Sequence, residues 1–171
     1  MKRLKYVLLA FLTMTLFAAC GGDEKKEEKK ESKVKIGENK TDKKTDDNIN
    51  NIVISADDFM KFDKNEIKVQ AGKKVRLTLR HTGKMDVKIM GHNVVILKQG
   101  VDITAFAAKA ATESENAYIP LETEDVIAHT EMIGGGQTTT IEFEAPAVGT
   151  YDFICSFPAH YAMMKGKFIV E

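Results

Sequence analysis

Over most of the chain, apolar side chains return at every second position. Val75, Leu77 and Leu79 alternate with Arg76, Thr78 and Arg80, giving an extended segment one apolar face and one polar face. That is the period of a strand covering a core. Comparable bursts over 51–55, 66–70, 93–97, 126–133, 138–144, 151–155 and 167–170 predict seven further strands, punctuated by Gly72, Gly83, Gly134, Gly135, Gly136, Gly149 and Gly166. A different period intervenes once. Over 101–113, Ile103, Phe106, Ala107 and Ala110 share a helical face behind Asp102, a suitable N-cap, so one helix is expected there. About eight short strands in about 120 residues, with one inserted α-helix, predict an all-β fold: a Greek-key β-sandwich whose loops gather at its two ends.

The first fifty residues depart from this pattern. Lys2, Arg3 and Lys5 precede an apolar run over 6–17 that closes on Ala18 and Ala19 before Cys20, the layout of a signal peptide over 1–19. A spanning helix needs about 20 apolar residues; residues 6–20 are fewer and include Thr13 and Thr15. The junction Leu16-Phe17-Ala18-Ala19-Cys20 resembles a bacterial lipobox, which implies cleavage before Cys20 and lipid on its thiol. Residues 21–50 hold nine acidic and nine basic side chains, with Val34, Ile36 and Ile49 as their large aliphatics. Such a stretch cannot bury enough surface to offset the entropy of ordering, so 20–50 reads as a lipidated, charged tether carrying a domain over 51–171. Gly21 stands where an acidic residue often retains a lipoprotein at the inner membrane, so a periplasmic protein anchored to the outer membrane is favoured.

Charge narrows the partners. The whole chain has 25 basic and 25 acidic residues, and residues 51–171 hold 13 and 16. Phosphate neutralisation needs concentrated Lys and Arg, so nucleic acid is not the expected partner.

With Cys20 acylated, Cys155 is the one thiol of the domain, and a disulfide framework is excluded. Its setting directs the reading. Cys155 ends a strand and is followed by Ser156-Phe157-Pro158-Ala159-His160 and then by Met163 and Met164, so one loop offers thiolate, imidazole and thioether. These soft and intermediate donors suit copper, above all if a second imidazole joins them. His92, at the entrance to a predicted strand, is the candidate; His81 and His129 lie in or beside strand-like runs and read as structural or supporting. Met163 and Met164 are both placed to supply sulfur. Rival readings are a copper-delivery or storage protein, an enzyme with a Cys155 nucleophile and His160 base, and a structural sandwich with a buried thiol. The enzyme lacks an evident orienting third group and oxyanion site.

Met90-Gly91-His92-Asn93, Ile127-Ala128-His129-Thr130 and Cys155-Ser156-Phe157-Pro158-Ala159-His160 with Met164-Lys165-Gly166 together resemble the azurin family of small blue copper proteins, across 51–171. The resemblance implies a cupredoxin-like sandwich holding one copper ion through His92, Cys155 and His160, with Met164 as a distant axial ligand and the Gly91 carbonyl as a weak contact. It favours Met164 over Met163, because the family's axial methionine directly precedes Lys-Gly. It implies that the Asn93 side chain ties the two ligand loops and that the Asn93 and Phe157 amides point at sulfur. It gathers Met60, Met85, Met90, Phe157, Pro158, Ala159, Ala162 and Met163 into an apolar docking patch around His160. The implied function is one-electron carriage without catalytic turnover, by a monomer exchanging electrons with cytochrome-type or reductase partners of the cell envelope. Two departures stand out. The domain has no partner for a family-type disulfide, and Ala159 replaces a usual glycine, which introduces strain if that position needs a positive φ.

Overall fold

The computed structural model describes residues 49–171. The leader over 1–19, Cys20 and all of the tether but its last two residues lie outside the described residues. Two sheets face each other. The first runs β2 (Lys61–Phe62), β1 (Ile49–Asp57), β4 (Lys74–His81), β7 (Thr138–Glu144). The second runs β3 (Glu66–Val69), β9 (Lys165–Val170), β8 (Gly149–Ile154), β5 (Val95–Leu97), β6 (Val126–His129). β1 pairs with β4 and β3 with β9 in parallel, while the other pairs are antiparallel.

The expected eight strands are all present, and the all-β sandwich with one inserted helix holds. A ninth, β2, has two residues and is too short to carry a period. The ends differ by a few residues: β1 starts at Ile49, two before the expected boundary of the domain, and β6 ends at His129 rather than 133. The helix α2 (Ile103–Ala110) is shorter than the 101–113 expected, and the Asp102 carboxylate caps it by accepting from the amides of Thr104 and Ala105. A single helical turn, α1 (Val87–Met90), capped by Asp86, was not foreseen; four residues cannot show a helical period.

Alternation places the core. Val75, Leu77 and Leu79 of β4 are fully buried between the sheets with Ile54, Phe153 and Phe168. β5 is buried on both faces: Val94 and Ile96 join that central cluster, while Val95 and Leu97 join Phe106 and Ala110 of α2 and Ile154 of β8. A strand covered on both sides reads as an unbroken apolar run, as Val94-Val95-Ile96-Leu97 does. The same alternation in β8 turns Tyr151, Phe153 and Cys155 inward. Because β5 and β8 are neighbours, with Val95 opposite Ile154, the segment entering β5 and the segment leaving β8 meet at one end of the sandwich.

Phe153 packs against the Phe62 ring at 5.7 Å and fills the core two residues before Cys155. Phe153→Ala should lower stability by about 3–5 kcal/mol, read from equilibrium urea unfolding of the domain; a loss below 1 kcal/mol would mean that this ring does not hold the two sheets together.

Candidate metal centre

Three potential ligand atoms converge at that end. The Sγ of Cys155 lies 3.9 Å from Nδ1 of His92 and 3.7 Å from Nδ1 of His160. The three donors all fall within 4.8 Å of one another, and all three residues are buried. Sγ is also 3.9 Å from the Gly91 carbonyl oxygen. Gly91 suits this crowding, since a Cβ there would stand 2.5 Å from the Val87 carbonyl oxygen and 3.0 Å from the Phe157 ring. Met164 is fully buried in the core cluster that includes Cys155, and its carbonyl accepts from the Cys155 amide at 2.9 Å. Met163, its neighbour, is 66 % exposed.

Hydrogen bonds fix which nitrogen faces the thiol. Nε2 of His92 is 2.8 Å from the Asp57 carbonyl oxygen. A carbonyl only accepts, so Nε2 carries the proton and Nδ1 keeps a free lone pair toward sulfur. Burial lowers the His92 pKa, against the Asp57 hydrogen bond, and lowers that of His160 to about 4. Both imidazoles are therefore neutral at pH 7, the form that binds metal. Burial pushes the Cys155 thiol up to about 12, opposed by hydrogen bonds from the amides of Asn93 and Phe157. Such a thiol is inert as a nucleophile, whereas a cation would displace its proton.

The two loops are tied together. Asn93 Oδ1 accepts from the Ser156 amide at 2.9 Å, and its Nδ2 donates to the Ser156 hydroxyl at 2.8 Å, both fully within the protein. His92 also exchanges two backbone bonds of 2.9 Å with Ile133. Every buried side-chain nitrogen and oxygen among the described residues has a partner. The site is thus assembled without an unsatisfied polar atom.

His81 is closer to this centre than its sequence neighbours indicate. Its ring stacks on His92 at 4.5 Å, donates from Nε2 to the Met90 carbonyl at 2.8 Å and accepts the Gly83 amide on Nδ1 at 3.0 Å. The signal was present in the alternation, for Val75, Leu77, Leu79 and His81 fall on one inward face. His129 stands apart, exposed at the end of β6 with Nδ1 3.1 Å from the Thr130 carbonyl oxygen.

Of the four side-chain donors, His92, Cys155 and Met164 have no accessible surface and His160 has 3 %. Of the residues expected to form the docking patch, Met85, Ala159, Ala162 and Met163 are exposed, whereas Met60, Met90, Phe157 and Pro158 are half-buried. Met60 packs in part against the central core. Phe59 and Ile89, 80 % and 65 % exposed, stand beside Met60 and Met90 and were not foreseen. They belong to linked segments, because the carboxylate of Asp58 accepts the amides of Lys84 at 2.8 Å and Met85 at 3.2 Å.

A family model described as copper binding proteins, plastocyanin/azurin family, matches residues 48–171. The chain belongs to that family. It is 39 % identical over 117 residues to Azurin-1 of Alcaligenes xylosoxydans xylosoxydans, covering 66 % of this chain and 91 % of the relative. It is 35 % identical over 117 residues to Outer membrane protein H.8 of Neisseria gonorrhoeae, covering 67 % of this chain and 63 % of that protein. Among solved structures, azurin Az-iso2 of Methylomonas sp. strain J matches with a TM-score of 0.66 at 30 % identity, covering 71 % of this chain and 98 % of that one. Auracyanin A of Chloroflexus aurantiacus, a blue copper protein, matches with a TM-score of 0.65 at 31 % identity, covering 72 % and 99 %.

The geometry fits the metal that this copper-binding family holds. With bonds of about 2.0–2.1 Å to nitrogen and about 2.3 Å to sulfur, as zinc sites show, nitrogen and sulfur donors about 120° apart around one ion stand about 3.8 Å from each other. The observed 3.9 and 3.7 Å bracket that separation. One soft thiolate, two imidazoles and a nearby thioether are the donor set of a type 1 copper centre, one ion per chain.

The ligand loop is strained at the residue that departs from the family pattern. Ala159 has φ 68 and ψ −13, the left-handed region. A side chain there costs about 1–2 kcal/mol, partly offset by the freedom that glycine gains on unfolding. Ala159→Gly should therefore raise stability by roughly 0.5–1 kcal/mol in chemical denaturation; an unchanged or lowered midpoint would show that the loop carries no such strain.

Proposed function

We propose that this chain is a one-electron carrier of the cell envelope, built on a mononuclear type 1 copper held by His92, Cys155 and His160, with Met164 as a weak sulfur donor and the Gly91 carbonyl as a weaker contact. The observation that carries the proposal is the buried trio of His92 Nδ1, Cys155 Sγ and His160 Nδ1, spaced to hold one ion. When bound, copper supplies a single-electron change between Cu(II) and Cu(I).

The residues explain why such a change is fast and confined. The Asp57 carbonyl holds the His92 ring, the Asn93–Ser156 pair holds the two loops together, and the Asn93 and Phe157 amides steady the thiolate charge. A donor set fixed this way has little to rearrange when the charge on it changes. Buried donors exclude water and substrate, so the site is suited to carriage and not to bond-making. His160 alone among the four side-chain donors reaches the surface, and with Nδ1 turned inward its Nε2 side is the exit for an electron.

The docking patch is Met60, Met85, Met90, Phe157, Pro158, Ala159, Ala162 and Met163 around that edge. Flexible, polarizable methionines suit brief contacts with cytochrome-type or reductase partners. Residues 1–19 direct export, lipid on Cys20 anchors the chain, and the tether through residue 50 lets a domain starting near residue 51 reach membrane-bound partners from the periplasmic side of the outer membrane. The similarity to a protein named for the outer membrane supports that placement.

Cu(II) added to the purified chain should give an intense blue colour that is bleached by reduction, restored by oxidation and absent from Cys155→Ala. A colourless, readily exchanged metal would instead assign the chain to copper delivery. Because the Cys155 thiol is held at about 12 and both imidazoles are neutral above pH 7, each copper bound should expel about one proton, and the apparent affinity should rise about tenfold per pH unit between about pH 7 and 9. Calorimetry in buffers of different ionisation heat measures this directly; uptake with no proton released would mean that the thiolate is not a ligand. Met163→Lys should slow electron self-exchange about tenfold or more at an unchanged potential, by placing like charges opposite each other; unaltered exchange would remove Met163 from the docking surface.

A further inference from the structure

The sulfur atoms at the metal end of this fold are not equally open to oxidants. The Cys155 thiol and the Met164 thioether have no accessible surface, and His160 keeps 3 %. The Phe157 ring lies 4.6 Å from that of His160 and is met edge-on by Tyr118 at 5.2 Å. Ala117 and Tyr118 hold that ring in place with left-handed φ values of 53 and 59, and the Ala117 carbonyl accepts from Asn93 Nδ2 at 3.4 Å. The side chains placed to bind the metal are thus enclosed. The six methionines of the described residues divide differently. Met164 is buried, Met60, Met90 and Met132 are half-buried, and Met85 and Met163 are 43 % and 66 % exposed.

Backbone contacts make this division a property of the fold. The amides of Met163 and Met164 both donate to the His160 carbonyl, at 3.0 and 2.8 Å, so one short turn sends two adjacent side chains to opposite sides. The Met164 carbonyl takes the Cys155 amide at 2.9 Å, which keeps its thioether in the core cluster. Met85 is pinned as firmly, its amide donating to the Asp58 carboxylate at 3.2 Å and its carbonyl accepting from the Gly135 amide at 2.8 Å. These bonds keep the Met85 and Met163 side chains at the surface. Oxidation of sulfur follows exposure, so the two outer thioethers are the sites that an oxidant reaches first.

Resting on the carrier reading above, we propose that Met163 and Met85 are reversible oxidation sites for hydrogen peroxide, and that their sulfoxides slow docking at the His160 edge while the copper ligands stay intact. The thioether sulfur attacks one peroxide oxygen. A sulfur–oxygen bond forms, the oxygen–oxygen bond breaks, and the departing hydroxide leaves as water with the proton of the transferred oxygen. Sulfur loses two electrons and the peroxide gains them. A thiol reductant reverses the step, removing the oxygen as water while two thiols become a disulfide. The sulfoxide puts a polar, hydrated group where a polarizable apolar one stood. A partner closing on the His160 edge must then strip water from it without supplying a donor, so contact weakens while the surroundings of the metal do not change. Electron delivery slows when peroxide is abundant and resumes once the sulfur is reduced.

The test treats the oxidised, copper-loaded chain with hydrogen peroxide and maps the products by peptide mass spectrometry. Met163 and Met85 should each gain one oxygen about tenfold or more faster than Met164, because a buried sulfur reacts only after local opening. The blue absorption and the potential should stay as they were. Electron self-exchange should slow about fivefold, and recover after incubation with methionine sulfoxide reductases and dithiothreitol. In the double variant Met85→Leu, Met163→Leu, whatever its own starting rate, peroxide should leave that rate in place. Oxidation of Met164 or Cys155 as fast as that of Met163, sulfoxides that leave exchange unaltered, or a double variant that slows under peroxide as much as the parent would overturn the proposal. A chain that stays colourless with copper would instead defeat the carrier reading, and the order in which its sulfurs oxidise could still be read, so the two failures are distinct.

Discussion

Two neutral imidazole nitrogens each sit within 4 Å of a protonated thiol at the end of an apolar core. An interior that excludes water tolerates polar groups only when each has a partner, and charged groups only when the charge is balanced. The chain meets the first condition with backbone. The Asp57 carbonyl takes one nitrogen of His92, and the amides of Asn93 and Phe157 point at sulfur. It leaves the second condition to a cation. Burial alone keeps Cys155 protonated, and only a bound metal makes the thiolate the stable form. The sandwich, the loop ties and the hydrogen-bonded rings can all be understood as means of keeping those three atoms together and dry.

The cost of this arrangement is visible in the backbone. Met60, Ala117, Tyr118 and Ala159 all have positive φ without being glycine. Met60 closes the turn whose Asp57 holds His92, Ala117 and Tyr118 support Asn93 and Phe157, and Ala159 lies within the ligand loop itself. Strain of this kind persists only where surrounding contacts over-determine it, and it clusters where geometry matters to function. Stability is supplied elsewhere, by a core closed on both faces of β5 and by α2. Cys155 is the free cysteine of the described residues, so their packing does without a disulfide.

The strands were readable because a half-buried strand writes a period of two into its sequence, and Val75, Leu77 and Leu79 show it plainly. The helix was readable from its different period and from Asp102. The ligand loop was readable because Cys155, His160 and Met164 lie within ten residues of one another, and His92 because Gly-His-Asn precedes a strand. What stayed hidden depends on tertiary packing. β2 and α1 are shorter than any period that would reveal them. His81 stacks on His92 through the meeting of β4 with the segment before β5, which no local spacing encodes, although its place on the inward face of β4 was there to be seen. The Tyr118–Phe157 contact joins segments almost forty residues apart and had no sequence signal at all.

The central claim is that one copper ion is bound by the Cys155 sulfur and the His92 and His160 nitrogens together. Copper K-edge X-ray absorption on the loaded chain, in both oxidation states, addresses it most directly. The account predicts a single short sulfur and two nitrogens around copper, with distances that change little on reduction. A first coordination sphere made only of nitrogen and oxygen, or one that reorganises when the electron is added, would contradict it.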